Sequence, residues 1–292
     1  MRPEVEQAAE LLREQTPESV ARAIALLQRT VYGFSMKVCG HPEDAEDTMQ
    51  EVLMRSAPHL ARLVDAPALA VWLYTVTRNR CWRMRRKPAG APAQMLSLDE
   101  LMPSEGELAR LSARAAREVS PEDAAIQSQQ QQLVHRAVLE VPPQYRMVLV
   151  LHDMEDLDIA QIAQVLGVKP GTVRVRLHRA RLAVRRAMAA LSAGERATVR
   201  GSSASKRGRP AGCRDIFAQL SDLVDERLPR ADCERMQRHI EACPKCVVFL
   251  RDLREAIERC RTLEAGCEAQ VGAALRSQIT REYLRLVGNS AA

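Results

Sequence analysis

The 27 residues from Asp158 to Val184, DIAQIAQVLGVKPGTVRVRLHRARLAV, leave little freedom in how this chain folds. Asp158 and Gln161 form a D-x-x-Q capping box, in which each side chain satisfies a backbone N–H that the first helical turn leaves open. Ile159, Ile162, Ala163 and Leu166 repeat at helical spacing, and Gly167, which adopts positive φ without steric cost, ends the helix. Pro170 suits the first turn of a second helix. At about 100° per residue, Val173, Leu177, Ala180 and Val184 cluster within about 40° and must face a core. Val175, His178 and Arg179 lie opposite, and Arg174, Arg176, Arg181 and Arg185 lie on the flanks. A helix, a short Gly-containing turn and an acid-free second helix form the layout that reads a DNA major groove. The opposite residues would reach base edges, and the flanking arginines would reach phosphates.

The rest of the 292 residues is predicted to be helical as well. Aromatic residues make up 3% of the chain, which argues against sandwiches and barrels built on aromatic and β-branched strands. No stretch alternates apolar and polar residues convincingly. The fold class is therefore all-α. With 46% hydrophobic residues and a mean hydropathy of −0.25, the chain has material for several cores. No apolar run approaches the roughly 20 residues of a membrane span. The opening MRPEVEQAAELLREQ has no apolar signal region, so the expectation is a cytoplasmic protein without membrane contact.

Two stretches poor in helical pattern divide the chain. Residues 88–121 are rich in Pro, Gly, Ala and Ser, and residues 193–212 (AGERATVRGSSASKRGRPAG) are basic and small. These linkers leave folded pieces at 10–87, 122–192 and 213–290. In the first piece, His41-Pro42-Glu43-Asp44 reads as a helix start, with Ala45, Met49, Val52 and Ser56 on one stripe. Asp44, Asp47 and Glu51 lie on another, alongside Gln50. The following TVTRNRCWRMRRK carries Arg78, Arg80, Arg83, Arg85, Arg86 and Lys87 with no acid. Such a helix repels itself unless a polyanion neutralises it. The two separated basic stretches, here and at 159–210, suggest two contacts with nucleic acid.

Six of the eight cysteines lie between Cys213 and Cys267, which in a cytosolic protein favours metal or redox chemistry over a disulfide framework. Cys213, His239, Cys243 and Cys246 have the pattern C-x25-H-x3-C-x2-C. His239 and Cys243 share a helix face and Cys246 follows closely, so Cys213 can close a tetrahedral Cys3His site for one zinc ion with no open position. A closed site points to structure or sensing, and another thiophilic ion such as copper fits the same donors. Cys233, Cys260 and Cys267 are surplus, either as inert thiols or, for Cys233, as a ligand replacement on oxidation. The sequence contains no Gly-rich phosphate loop, nucleophile elbow or open metal site, so no enzymatic activity is expected.

Together the first two pieces resemble the extracytoplasmic-function (ECF) class of bacterial sigma-70-type factors. DAEDTMQEVLMR (44–55) is similar to region 2.2 of that family, WLYTVTRNRCWRMRRK (72–87) to regions 2.3 and 2.4, and VPPQYRMVLVL with IAQIAQVLGVKPGTVRVRLHRAR to region 4. The resemblance implies that Asp47, Gln50 and Glu51 face core RNA polymerase, and that Asn79 reads the −10 promoter element while Arg78, Arg83 and Arg86 hold the strand. It implies a pocket for an extruded base, partly built by the loop Leu60–Leu69. It assigns the −35 element to Val175, His178 and Arg179, with Arg174, Arg176 and Arg181 on the backbone. It also makes 88–121 a linker threaded toward the RNA exit path. Two departures stand out. Glu155-Asp156-Leu157-Asp158 replaces the frequent E-G-L-[ST], and Val175 replaces a small polar residue. The third piece resembles the zinc-binding anti-sigma fold, with Cys213, His239, Cys243 and Cys246 at its ligand positions. That implies a domain able to block polymerase binding, here fused to its own target by a tether giving an effective concentration around millimolar. The amphipathic stretch 268–287 (Val271, Leu275, Ile279, Leu286) would pack on the zinc helices or on the sigma regions. Three readings stay open: a sigma factor inhibited in cis, a sigma factor whose metal- or redox-sensing tail activates it, and a helix-turn-helix regulator that recruits no polymerase.

Overall fold

The computed structural model describes residues 1–63, 65–84, 96–101, 103, 106–110, 124–194, 211–263 and 272–288. Every regular element among them is helical. In chain order these are α1 (Pro3–Arg13), α2 (Pro17–Cys39), α3 (Pro42–Met54), α4 (Ala57–Leu60), α5 (Ala66–Met84), α6 (Leu98–Leu101), α7 (Ala124–Glu140) and α8 (Pro143–Leu149). A π-helical turn, Val150–Met154, precedes α9 (Ile159–Leu166) and α10 (Pro170–Ser192). The C-terminal third holds α11 (Ala211–Val224), α12 (Arg230–Ala242), α13 (Pro244–Arg261) and α14 (Ala273–Gly288). None of these is long and apolar enough to cross a membrane.

The chain divides into two compact units. The first comprises residues 1–92, 150–173 and 264–292; the second comprises 93–149 and 174–263. Local chemistry sets the helix limits in the first. Thr16 and Ser19 make a reciprocal capping box before Pro17, and Gly40, at φ +78°, closes α2 by donating its N–H to Met36 O. Pro42 opens α3 with Glu43 and Asp44 in its first turn, where carboxylates favour the positive end of the helix dipole. The apolar stripe of α3 buries Ala45, Met49 and Val52 between α2 and α5. Phe34 of α2 meets Tyr74 of α5 edge-on, with ring centroids 5.1 Å apart.

Also within this unit, α9 lies against α5. Glu155, just before α9, is withdrawn from water and accepts hydrogen bonds from Lys37 Nζ and Tyr74 OH, both at 2.8 Å; Arg2 Nε lies 3.2 Å away. Burial, reinforced by the Glu155 charge, pushes the Tyr74 phenol well above its ordinary range and keeps it a donor. The neighbouring Asp156 sits at φ +57°, a left-handed conformation that aspartate tolerates better than most residues. This explains how the chain dispenses with the glycine common at this point of the E-G-L pattern. The C-terminal helix α14 belongs to the same unit. It seats Ile279 and Tyr283 against α2 and α4, and Tyr283 OH donates to Leu12 O at 2.8 Å. Of the two placements open from sequence, α14 therefore takes the one on the N-terminal helices. Of its expected apolar stripe, Val271 lies outside the described residues and Tyr283 replaces Leu286 as a main anchor.

In the second unit, the stretch expected to be a linker is partly structured. Residues 98–101 and 106–110 are helical, Leu96, Leu101 and Leu108 are buried, and Leu96 N–H donates to Tyr145 OH at 3.1 Å. Pro, Gly and Ala obscured three leucines that a core could claim. Helices α11, α12 and α13 pack on one another around Phe217 and Phe249, whose centroids are 4.6 Å apart.

Replacing Glu155 with Ala leaves the ammonium of Lys37 in a buried site without its carboxylate. Such a loss costs about 3 kcal/mol, and a lowered thermal midpoint with a steep loss of native signal in denaturant titration is the expected result.

Candidate nucleic-acid interface and metal centre

The acidic face of α3 separates into two parts. Asp47 and Gln50 are exposed, as expected of a partner surface. Glu51 differs: it turns toward α5, with Oε2 at 2.7 Å from Arg80 Nε and Oε1 at 3.6 Å from Arg55 one helical turn on. The expected three-residue face is thus two outward side chains plus one carboxylate in a pocket. The period of α3 explains the difference, since Glu51 lies one turn from Asp47 but nearer the α5 side.

That pocket, of about 170 Å³, lies between α3, α4 and α5; its lining includes Glu51, His59, Trp72, Val76, Asn79 and Arg80. His59 and Trp72 stack with centroids 5.1 Å apart at 31°. Arg78 Nε donates to Asn79 Oδ1 at 3.1 Å and fixes the orientation of the amide. Sequence reasoning singled out Asn79 and Arg78 but missed His59 and Trp72. The signal was available, because both flank the Leu60–Leu69 loop assigned to a base pocket. Trp82, about half exposed on the same helix, was also missed. Arg83 belongs to α5, but its side chain lies outside the described residues, as does all of Arg86.

The start of the helix-turn-helix has the geometry its sequence dictates. Gln161 N–H donates to Asp158 Oδ1 at 2.8 Å, Asp158 N–H donates to Gln161 Oε1 at 3.0 Å, and Gly167 sits at φ +64°. On α10, Val173, Leu177, Ala180 and Val184 are all buried, whereas Arg174 and Val175 are exposed. Arg176 and Arg179 are half-buried.

The far flank departs from expectation. Arg181, assigned to phosphates, is fully buried: its two terminal nitrogens meet the Asp225 carboxylate at 2.9 and 2.8 Å. Such paired, parallel bonds are the strongest geometry open to a guanidinium. Arg185 is buried as well, bonded to Glu107 and, at 2.9 Å, to Asp252, with its guanidinium carbon 4.5 Å from the centre of the Phe249 ring. His178 Nδ1 lies 3.0 Å from Ser221 Oγ, and its Nε2 is sealed from solvent. The physical reason is one helix: α11, which carries Ser221 in its last turn and is followed at once by Asp225, places these two residues on this side of α10. Periodicity sets these side chains apart from the stripe of Val173, Leu177, Ala180 and Val184 but does not show what covers them.

Burial, aided by the charges of Arg181 and Arg179, lowers the His178 pKa to about 4. Its ordinary value is about 6.5. Protonation is therefore disfavoured while α11 is seated. The contact is intact above about pH 6.5 and weakens as pH falls toward 4, by about 2 kcal/mol at pH 5. Faster amide hydrogen exchange in α11 at pH 5 than at pH 7, after correction for intrinsic rates, is expected, and His178→Gln should flatten that dependence.

The cysteine-rich region brings its predicted ligands together. Cys213 comes from the first turns of α11 and His239 from the end of α12. Cys243 sits at the α12–α13 junction with extended φ −122°, ψ 97°, and Cys246 lies in the first turn of α13. All four ligand atoms lie within 4.8 Å of one another. Cys213 Sγ is 3.9 Å from Cys243 Sγ and 3.8 Å from Cys246 Sγ, while His239 Nε2 is 3.5 and 3.4 Å from Cys213 and Cys246. Bonds of about 2.3 Å to sulfur and about 2.05 Å to nitrogen place tetrahedral ligands about 3.8 Å apart for S···S and about 3.5 Å for S···N. The donor set and its edges therefore fit a zinc ion. Desolvation pushes the thiols of Cys213 and Cys246 up; at Cys243 it is outweighed by bonds from the Cys246 and Lys245 backbone and the facing thiols, which hold that thiol down. Cys233 is half-exposed on α12 and Cys260 is buried in α13, neither within the ligand cluster, and Cys267 lies outside the described residues.

Comparison with known families divides the chain in the same order. Residues 23–90 match sigma-70 region 2, residues 131–184 match sigma-70 region 4, and residues 213–246 match a zinc-finger family. The chain is 28% identical over 169 residues to the ECF RNA polymerase sigma factor SigW of Bacillus subtilis, covering 58% of this chain and 88% of that protein. It is 30% identical over 156 residues to the ECF sigma factor SigE of Mycolicibacterium smegmatis, covering 53% and 56%. The ECF sigma-E factor of Escherichia coli is 26% identical over 146 residues, covering 48% and 72%.

Proposed function

We propose, from the premise that this chain belongs to the ECF sigma factors and carries a C-terminal zinc-finger domain, that it brings core RNA polymerase to promoters and is held inactive by its own C-terminal third. As a sigma factor it is an initiation factor rather than an enzyme, and its place of work is the cytoplasm. In this reading Asp47 and Gln50 engage polymerase first, with Glu51 behind them. Asn79, oriented by Arg78, reads a −10 base extruded into the pocket beside Trp72 and His59, whose ring faces replace the lost stacking. Arg83 and Arg86 hold the strand. Region 4 reads the −35 element through Val175, His178 and Arg179, with Arg174, Arg176 and Arg181 on phosphates.

The observation that carries the inhibitory reading is the pairing of Arg181 with Asp225. A side chain needed at the DNA backbone is spent on an acid of the protein's own tail, and His178 beside it is capped by Ser221. The seating of α14 on α2 and α4 supplies a second hold, on the region 2 unit. Cys213, His239, Cys243 and Cys246 would hold one zinc ion, which contributes a rigid cross-link between α11, α12 and α13 and no reactive position. That cross-link fixes the pitch of α11, and so aligns Ser221 and Asp225 with α10.

Run-off transcription with purified core polymerase tests the inhibition. Asp225→Ala in the full chain, and truncation after Leu191, should each raise promoter-specific transcript several-fold; unchanged or reduced transcript from both would refute it. For the metal, the wild-type chain should carry one zinc per molecule by elemental analysis, and Cys243→Ser plus Cys246→Ser should carry none. A stoichiometric zinc in that double variant would remove the ligand assignment.

A further inference from the structure

Glu51 stands between two surfaces with different partners. It belongs to α3, whose exposed Asp47 and Gln50 are assigned above to polymerase, yet its carboxylate points into the pocket that holds Asn79 and Trp72. There it meets Arg80, the residue after Asn79, at 2.7 Å. Arg80 Nε is shielded from water but makes no aligned hydrogen bond, so charge alone holds the contact. Arg55 stands further off at 3.6 Å and is largely exposed. A misaligned pair whose members keep 20% and 29% of their side-chain surface exposed is worth only a few-fold in an equilibrium. A second cation delivered to Glu51 is enough to displace Arg80.

We infer that the Glu51–Arg80 pair is an exchange switch that couples polymerase docking to capture of the promoter strand. In the free protein Glu51 neutralises Arg80, so the pocket beside Asn79 attracts a phosphate less strongly than it would with Arg80 unpaired. When polymerase docks on α3, one of its cations takes the Glu51 carboxylate. Arg80 is then released with its full charge next to the base pocket and pairs with a backbone phosphate of the single strand. Arg80 has one charged partner before and one after, Glu51 keeps the more distant Arg55 throughout, and no bond beyond the ion pairs changes. Arg80 acts on recognition by holding the strand while Asn79 and Trp72 engage the base. This inference rests on the reading of α3 as the polymerase face.

The test uses the full-length chain, titrated with core polymerase as wild type, Glu51→Gln, Arg80→Gln and the double variant. Arg80→Gln frees Glu51 and should tighten polymerase binding about 2- to 5-fold; a merely structural arginine would weaken it. Arg80→Lys should return the affinity to the wild-type level. Glu51→Gln should weaken binding, and the double variant should match it, because the Arg80 effect acts only through Glu51. In the holoenzyme, Arg80→Gln should also reduce the salt slope for a single-stranded −10 oligonucleotide by about 0.7. If Glu51→Gln weakens polymerase binding but Arg80→Gln leaves it unchanged or weaker, the switch is overturned and the polymerase face stands. If Glu51→Gln keeps wild-type affinity, the assignment of α3 fails and the switch fails with it. A further measurement does not depend on folding of an Arg80 variant. Without polymerase, the Glu51→Gln chain should bind the −10 oligonucleotide about 2- to 5-fold more tightly than wild type, and equal binding overturns the switch.

Discussion

A charged group taken out of water has to be matched by its opposite, because the penalty for leaving it alone exceeds most of what packing around it can return. Arg181 and Arg185 on one helix face impose this constraint on the second unit. Between them they draw in Asp225, Glu107 and Asp252, so one helix specifies where α11, α13 and the residues around Glu107 must lie. In the first unit Glu155 imposes the mirror-image constraint and gathers Lys37, Tyr74 and Arg2. Hydrophobic burial supplies the driving force in both units, but it is indifferent to register. The buried charges supply the register.

The same constraint bears on the proposed inhibition. A guanidinium that pairs with phosphates finds a similar two-oxygen partner in a carboxylate. Asp225 offers Arg181 that geometry. Under the proposed inhibition, a contact built this way would select the residues assigned to DNA and compete with DNA for them. A metal held by the four-ligand cluster would support that contact from a distance. A cross-link adds stability to three helices with a modest core, and the sulfur and nitrogen atoms stand at tetrahedral spacing.

Much of this was legible from residue order. The Asp158–Gln161 box, Gly167 and the buried stripe of α10 follow from local rules and appear as those rules require. The four ligands were legible because i, i+4 spacing and a two-residue gap bring three of them together on one short path. Less legible were the structured leucines of residues 96–108, since surrounding Pro, Gly and Ala carry a strong signal for irregular chain and three apolar residues a weak one. The contact of Glu51 with Arg80 was illegible for a related reason. Periodicity reports the face of a helix, but not whether an arginine from another helix reaches across to a carboxylate at its margin.

The sequence by itself determined that the chain is helical, where the helices around the Asp158–Gln161 box and Gly167 start and stop, which stripe of α10 seeks a core, and which four side chains share a metal-binding pattern. These depend on neighbours within one or two turns, and backbone geometry fixes those neighbours. Only the tertiary structure decided that Arg181 is closed off by Asp225, that burial beside Ser221 lowers the proton affinity of His178, that α14 rests on α2 and α4, and that Glu51 answers Arg80. Each of these is a pairing between residues far apart in the chain, and for a charge or an apolar face many partners are chemically equivalent. Selection among them comes from the packing of the whole unit, which satisfies every buried charge at once or does not form.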